Sequence, residues 1–436
     1  MNRRKLRHSI CVQIILVILV FFNENGHTQG KWDSWKHRLP ITLTHRSGKT
    51  SGIVPVDVTF SVFAEQCPNP EKEIRLIVKT PNGEKEIPFQ LSMLSRWTKD
   101  TDGSKSRATL NGTITFFDDA PGNSDTEYFL LYGNPEAAEP SYQTDLKVSG
   151  SGPAWTVENS RMTVKLHTSG QIASVTLNAK PEVPVAPQTG IMHWNPGVYI
   201  PTRYWAHSFA WDPPEVCEIE QGPLFVEIRR SGIFPDIPEI HLSVTYRIFS
   251  GRTYVESGTV MKVQDDIGVV ALRNDELVFD GGFFTHVAWS KNSLTIKKQL
   301  KDYEPVNLHG DILRIPDTTL FVTLFNPSRG IGAASVRAAY SNTGPAGKAP
   351  VLFDNATYIS NGKLQYWFRP LVYFHVDWSR QQLITVPKGS VYAERNLYLF
   401  YETGTGGSIE DVITLSQAVK SPAGIHIGEY SLPPEE

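Results

Sequence analysis

The chain has 436 residues, of which 40% are hydrophobic and 20% charged, and a formal net charge of −3. This mildly acidic balance leaves no electrostatic footprint for nucleic acid, and three cysteines are too few for a disulfide scaffold. The length suits two or three domains with sizeable cores.

Residues 1–29 read as a secretory signal. Arg3, Arg4, Lys5 and Arg7 precede an apolar run from Ile10 to Phe22, and a polar segment follows. The run is short for a membrane span, so a single N-terminal anchor is the alternative. Removing the segment takes away four cationic residues and one anionic residue, leaving −6. Cys67 and Cys217 then remain, forming one bridge or none. The expected location is secreted or periplasmic, with no membrane contact beyond that anchor.

The rest of the chain reads as all-β. Apolar residues alternate at period two, and Gly, Pro, Asn and Asp break the chain at short intervals. Examples are 41-ITLTH-45, 74-IRLIVKT-80 with the turn 81-PNGEK-85, 127-EYFLLYG-133 and 241-HLSVTYRIF-249. Only 408-SIEDVITLSQAV-419 has a helical pattern, with Ser408 and Asp411 spaced as a capping box. The turn formers of 134-NPEAAEPSYQTDLKVSGSGP-153 place a linker at 141–152. An N-terminal β-sandwich is therefore expected over 30–140 and a larger β domain over 153–436.

That second unit opens with 155-WTVENSRMTVKLHTSGQIASVTL-177. Val157-x-Asn159, a strand, a Gly turn and Ile172-x-Ser174-Val175 resemble the opening hairpin of galactose-mutarotase-like supersandwich domains. The segment 387-PKGSVYAERNLYLFY-401 resembles the closing strands of that architecture, and 88-PFQL-91 with 127-EYFLLYGNP-135 is similar to sandwich modules of exo-rhamnogalacturonan-lyase-type proteins. The resemblance implies a β-sandwich followed by a large antiparallel supersandwich, as in many polysaccharide-degrading enzymes. It brings no catalytic motif.

Three clusters could carry chemistry. In 203-RYWAHSF-209 an extended backbone places Arg203, Trp205, His207 and Phe209 on one face and Tyr204 on the other, with Trp211 and Asp212 close behind. In 272-LRNDELVFDGGFFTHVAW-289, Asp280-Gly281-Gly282 reads as a hairpin turn that brings Arg273 or Asn274 near His286, with Trp289 on the return strand. In 365-QYWFRPLVYFHVDW-378 the even positions read as the core face. The odd set, Gln365, Trp367, Arg369, Tyr373, His375 and Asp377, reads as a ligand face, and Pro370 marks an edge or a bulge. His241, His309 and Asp311 look isolated and structural.

The sequence has no HExxH, paired CxxC, GxSxG or phosphate-binding glycine loop. No cofactor is expected, although the acidic pair Asp265-Asp266 leaves a calcium ion open.

Aromatic, Arg and His side chains on β faces suit carbohydrate, because guanidinium forks onto carboxylates and hydroxyls. A glycosidase needs two carboxylates roughly 5–10 Å apart. Elimination at a uronate needs a base, an acid and a cation or amide at the carboxylate. The clusters supply the second set more conspicuously. The expected function is a polysaccharide lyase acting on a uronate-containing glycan. His207 or His286 would be the base and Tyr204 or Tyr373 the acid, with Arg203, Arg273 or Asn274 neutralising the carboxylate. Trp205, Trp211, Trp289, Trp367, Arg369, His375 and Gln365 would bind substrate. The alternatives are a non-catalytic glycan-binding surface protein, a sugar epimerase, or a hydrolase using Asp212, Glu215, Glu276 or Asp377.

Overall fold

The computed structural model describes residues 31–44, 52–97, 108–118, 125–211, 213–291, 294–305, 310–316, 318–351, 356–373 and 383–428. The expected signal segment, His309, Asp212, His375 and Asp377 lie outside them, as does the side chain of Tyr373. Among the described residues no helix is long and apolar enough to cross a membrane.

The described chain is all-β, built from antiparallel sheets. The first unit packs a five-stranded sheet against a three-stranded one formed by Val56–Phe63, Thr109–Phe116 and Phe89–Trp97. Alternation puts Leu39, Ile41, Leu43, Val58, Phe60, Ile114 and Leu130 into their shared core. The strand Gly424–Ile427 returns from the far end of the chain to pair with His37–Thr44 at the edge of the five-stranded sheet.

The second unit is larger. A nine-stranded sheet runs from Val216–Gln221 at one edge to Leu294–Gln299 at the other, and a six-stranded sheet packs on it. The six-stranded order is Tyr204–His207, Gly197–Ile200, Ala271–Asp280, Leu364–Tyr373, Ala356–Asn361, Asp311–Pro316. Leu272, Leu277, Phe279, Ile359 and Trp367 meet Val244, Tyr246, Ile248, Val255 and Phe400 in one continuous core. The hairpin over 155–177 forms within a four-stranded sheet. Asn159 pins it, its amide donating to the carbonyls of Phe249 (2.7 Å) and Arg252 (2.8 Å).

Polar contacts join the two units. Gln90 Oε1 accepts from the backbone N–H groups of Leu224 (3.2 Å) and Phe225 (3.0 Å). Arg247 reaches Asp57 (3.2 Å), and Tyr254 Oη donates to the Ile53 carbonyl (2.9 Å). Cys67 and Cys217 are both free thiols, and burial pushes Cys67 up to about 12.

Three local expectations change. The helix spans Glu410–Lys420, and no side chain caps its N-cap residue Ile409. Ser408 Oγ instead accepts from the Glu410 N–H (3.3 Å), so the capping box does not form. Second, Asp280-Gly281-Gly282 does not close a hairpin. Ala271–Asp280 pairs with strands of the six-stranded sheet, whereas His286–Lys291 pairs within the nine-stranded one, so the turn crosses between sheets. Third, the faces of Leu364–Tyr373 are reversed. Gln365, Trp367, Arg369 and Leu371 are buried at 1% exposure or less, and the even residues Tyr366 and Phe368 belong to an aromatic cluster on the other side of the sheet. A register shift does occur beside Pro370.

Candidate active site

The outward face of the six-stranded sheet gathers Tyr199, Trp205, Tyr358, Tyr366 and Phe368. Register explains what stands among them. Gly197 pairs with His207 on one side and Arg273 on the other, so the imidazole and the guanidinium occupy one row across three strands. Between them Gly197 offers no side chain. A Cβ there would come within 2.9 Å of His207 Cδ2 and 3.0 Å of Nε2, so only glycine lets the imidazole lie across the strand.

A bulge supplies the carboxylate. Asn274 pairs with Arg369 and Leu277 with Trp367, leaving Asp275 and Glu276 together opposite one residue. Asp275 takes φ 52°, in the left-handed region that short polar side chains tolerate. Strict alternation would send Glu276 inward with Asn274. The extra residue sends Asp275 inward and Glu276 outward, beside Arg273 and His207.

The geometry is close but loose. Arg273 Nη1 lies 3.4 Å from Glu276 Oε1, and the guanidinium stacks between Trp205 (4.1 Å) and Phe368 (3.8 Å). His207 Nε2 is 3.9 Å from Glu276 Oε2, which has no hydrogen-bond partner. The imidazole stacks on Trp205 (5.5 Å) and Phe209 (5.1 Å), so the sequence's Trp–His–Phe face forms as a column of rings.

Electrostatics follow from burial. Burial, with Arg273 adding to it, pushes His207 down to about 3. The ring is thus neutral near pH 7, and its approach to Glu276 is not an ion pair. Burial raises the Glu276 carboxyl, Arg273 opposes the rise, and Asp311 adds a smaller upward push. Tyr366 is raised by burial, against Arg273 and a hydrogen bond with Ser360. Asp311 pairs with Ser360, and Ser360 with Tyr366, so all three lie in one row across the sheet's outer strands.

The structure thus brings together His207, Arg273 and Trp205 from the expected set, and adds Glu276, Asp311 and Tyr366. By sequence alone Glu276 suits only hydrolysis, Asp311 looks structural and Tyr366 falls on the core face. No local pattern marks Asp311, whose neighbours come from distant strands. The double acidic residue after Arg273 is the one signal that points to a bulge.

The other expected residues lie elsewhere. Arg203 forks onto Glu239 (2.7 and 2.8 Å) at the surface, and Tyr204 stands 74% exposed at the hairpin end with φ 57°. Asn274 points inward to Thr259 Oγ1 (2.7 Å) and Glu394 (2.6 Å), too deep to meet a ligand on the outward face. His286 stacks on Phe325 (5.1 Å) in the nine-stranded sheet, which also holds Trp289. Trp211 is buried and donates to the Ile233 carbonyl (2.8 Å). Trp367 donates to Asp275 (3.3 Å), and Arg369 pairs with Glu394, so both face the core. Gln365 clamps the backbone of Phe284 through both amide atoms (2.8 Å each). Glu215 accepts from the Ile233 N–H (3.1 Å).

Among the described residues no three His, Cys, Asp or Glu side chains converge as metal ligands. Asp265 and Asp266 both engage Lys388, at 3.1 Å through its ammonium and 2.8 Å through its backbone N–H.

The architecture is therefore that of a two-unit, all-β protein with a buried His–Arg–Glu cluster on an aromatic sheet face. No protein-family model matches the sequence, and no curated protein matches it either. Among solved structures the chain is similar to a glycosyl hydrolase family 38 protein from Enterococcus faecalis, with 12% identity and TM-score 0.52, covering 90% of this chain and 47% of that one. An alpha-mannosidase from Enterococcus faecalis V583 is alike at 12% identity and TM-score 0.53, covering 90% and 46%. The chain spans about half the length of these structures, and the likeness establishes shared fold. A looser likeness, TM-score 0.34 and 10% identity, is to a galactose mutarotase-like protein from Lactobacillus casei, covering 56% of this chain and 99% of that one.

Proposed function

We propose that the protein is a carbohydrate-active enzyme whose site is the Arg273–Glu276–His207 cluster. The observation that carries this reading is the bulge at Asp275–Glu276. It spends backbone strain to bring a buried carboxyl outward, next to a neutral imidazole and an arginine held between two rings. A carboxyl raised by burial and an imidazole kept neutral by it can give and take a proton. The aromatic rim suits the C–H faces of a sugar. The solved structures of similar fold include a glycosyl hydrolase family and an alpha-mannosidase, which is compatible with this substrate class.

The finer reading is β-elimination on a uronate. Arg273 would neutralise the substrate carboxylate, making the adjacent C–H more acidic. The neutral His207 would take that proton, and Tyr366 or Glu276, whose carboxyl burial raises, would return one to the leaving oxygen. Incubation with uronate polysaccharides is expected to release an unsaturated, ultraviolet-absorbing product. New reducing ends without that absorbance would overturn elimination.

A second reading, hydrolysis, draws on Asp311. Its charge adds a small push to the rise of Glu276, in the direction a second carboxylate gives the acid of a glycosidase. Loss of activity in Asp311→Asn together with new reducing ends would select it.

A further inference from the structure

The nine-stranded sheet ends on one side in the strand Leu294–Gln299, whose outer edge is open. Every residue of it is exposed except the half-buried Ile296, and Leu294 is 72% exposed. Between Gly281 and Lys301 the chain carries four lysines, Lys291, Lys297, Lys298 and Lys301, and no Asp or Glu. This is a concentration of positive charge in a chain whose net charge is −3.

The charge is not neutralised. Lys79 and Lys388, on other strands and turns, each hold a carboxylate. Among the described residues Lys291, Lys298 and Lys301 have no such partner, and Lys297 donates only to the Gly407 carbonyl (2.6 Å). His286, a candidate base by sequence, belongs to the same surface. Its ring stacks on Phe325 (5.1 Å), and Lys297 Nζ stands 5.1 Å from the centre of that ring. Burial and then Lys297 hold the imidazole below its usual value, with Asp302 opposing and Lys301 adding to the fall. Two ammonium groups thus act on one imidazole.

Lysines on an edge strand ordinarily keep other strands from pairing there. Charge of either sign does that, and the opposite edge, Val216–Gln221, carries Glu218 and Glu220 against Arg229 (3.5 and 3.4 Å). The Leu294–Gln299 edge differs in presenting one sign, unneutralised, beside free backbone N–H and C=O groups. Its occupant must bring anions for the lysines and donors for the carbonyls. A polyuronate has a carboxylate and hydroxyls on every sugar, whereas a lipid phosphate diester brings the anion alone. Strand addition by an acidic peptide uses pockets for alternate side chains, and here Thr295 and Gln299 stand exposed instead. We propose that the Leu294–Gln299 edge is a docking surface for an anionic polysaccharide, in a different sheet from the Arg273 cluster. The choice of a uronate polymer rests on the reading of that cluster; the open basic edge does not.

The test is calorimetric titration of the full chain with polygalacturonate, and with dextran as the neutral control. The Glu276→Gln background prevents cleavage during the titration. Polygalacturonate is expected to bind, more weakly as salt is added, and dextran is not. Replacing Lys297, Lys298 and Lys301 together by Ala should weaken binding roughly tenfold, as the loss of three exposed ion pairs would. Lys298→Glu with Lys301→Glu, two side chains that touch nothing, should do the same and keeps the test open if the triple variant does not fold. Neither variant should alter turnover of trigalacturonate by the parent enzyme. The inference is overturned if polygalacturonate does not bind, if both lysine variants bind it like the parent, or if polyglutamate or an oligodeoxynucleotide binds more tightly at the same lysines. Lysine-dependent binding in a protein that cleaves no glycan would instead remove the proposed enzymatic activity and leave this surface standing.

Discussion

The strand Ala271–Asp280 presents polar groups to both sides of its sheet, and the two sides differ in how tightly they are held. Inward, Asn274 and Asp275 meet Thr259, Ser335, Trp367 and Glu394 at hydrogen-bonding distances, and Glu394 pairs with Arg369. Outward, Arg273, Glu276 and His207 approach one another only at 3.4 and 3.9 Å. Inside, charge is committed to holding two sheets in register. Outside, the contacts between charged groups are longer.

That contrast makes opposite demands on substitution. The largest effect is expected at Glu276→Gln, which should lower turnover by about 10²- to 10⁴-fold, as loss of a general acid or base does. The thermal midpoint should hardly move, as measured by calorimetry beside the kinetic assay. Arg369→Ala leaves Glu394 buried without its cation and should cost about 3–5 kcal/mol in urea denaturation. If Arg369→Ala proved harmless to stability, the inner cluster would not be structural.

Gly197→Ala tests the seam between the two sides. Its methyl group would displace the His207 ring, costing about 1–3 kcal/mol through overpacking. It should also lower activity, so parent-like stability and turnover would remove Gly197 from the site.

The gentlest probe is pH. Unfolded, His207 takes its proton near 6.5; folded, near 3. Its contribution to stability is complete above pH 6.5 and is lost as pH falls towards 3. Asp275 runs the other way: burial, then Glu394, raises its carboxyl from 3.8 to about 7. Its contribution is complete below 3.8 and is lost as pH rises through 7. The two oppose one another between about pH 4 and 6.5, each with a slope of at most about 1.4 kcal/mol per pH unit. In Asp275→Asn the stability curve should tilt upward across that window, and in His207→Gln downward. The advantage of Asp275→Asn over the parent should therefore grow from pH 4 to pH 7, where the parent has lost most of this contribution.

Much of the architecture was legible because turn chemistry and period-two alternation are local. The hairpin over 155–177 and the irregularity at Pro370 follow from residues a few positions apart. The direction in which Leu364–Tyr373 faces does not. Arg369 and Trp367 look like surface residues until Glu394 and Asp275, from other strands, satisfy them inside. The same gap produced the false hairpin at Asp280, since nothing in Asp-Gly-Gly says that the next strand joins another sheet. At the site, His207, Trp205 and Arg273 could be read from spacing. Glu276 required the bulge, and Asp311 required the pairing order of the outer strands.

The strand Gly424–Ile427 carries a consequence for synthesis. It covers the edge of the first sandwich, yet the ribosome makes it about 380 residues after the strand it covers. For most of translation the His37–Thr44 edge stands without that neighbour, a template for pairing with other chains. Of the two units, the one that emerges first is thus the later to be finished.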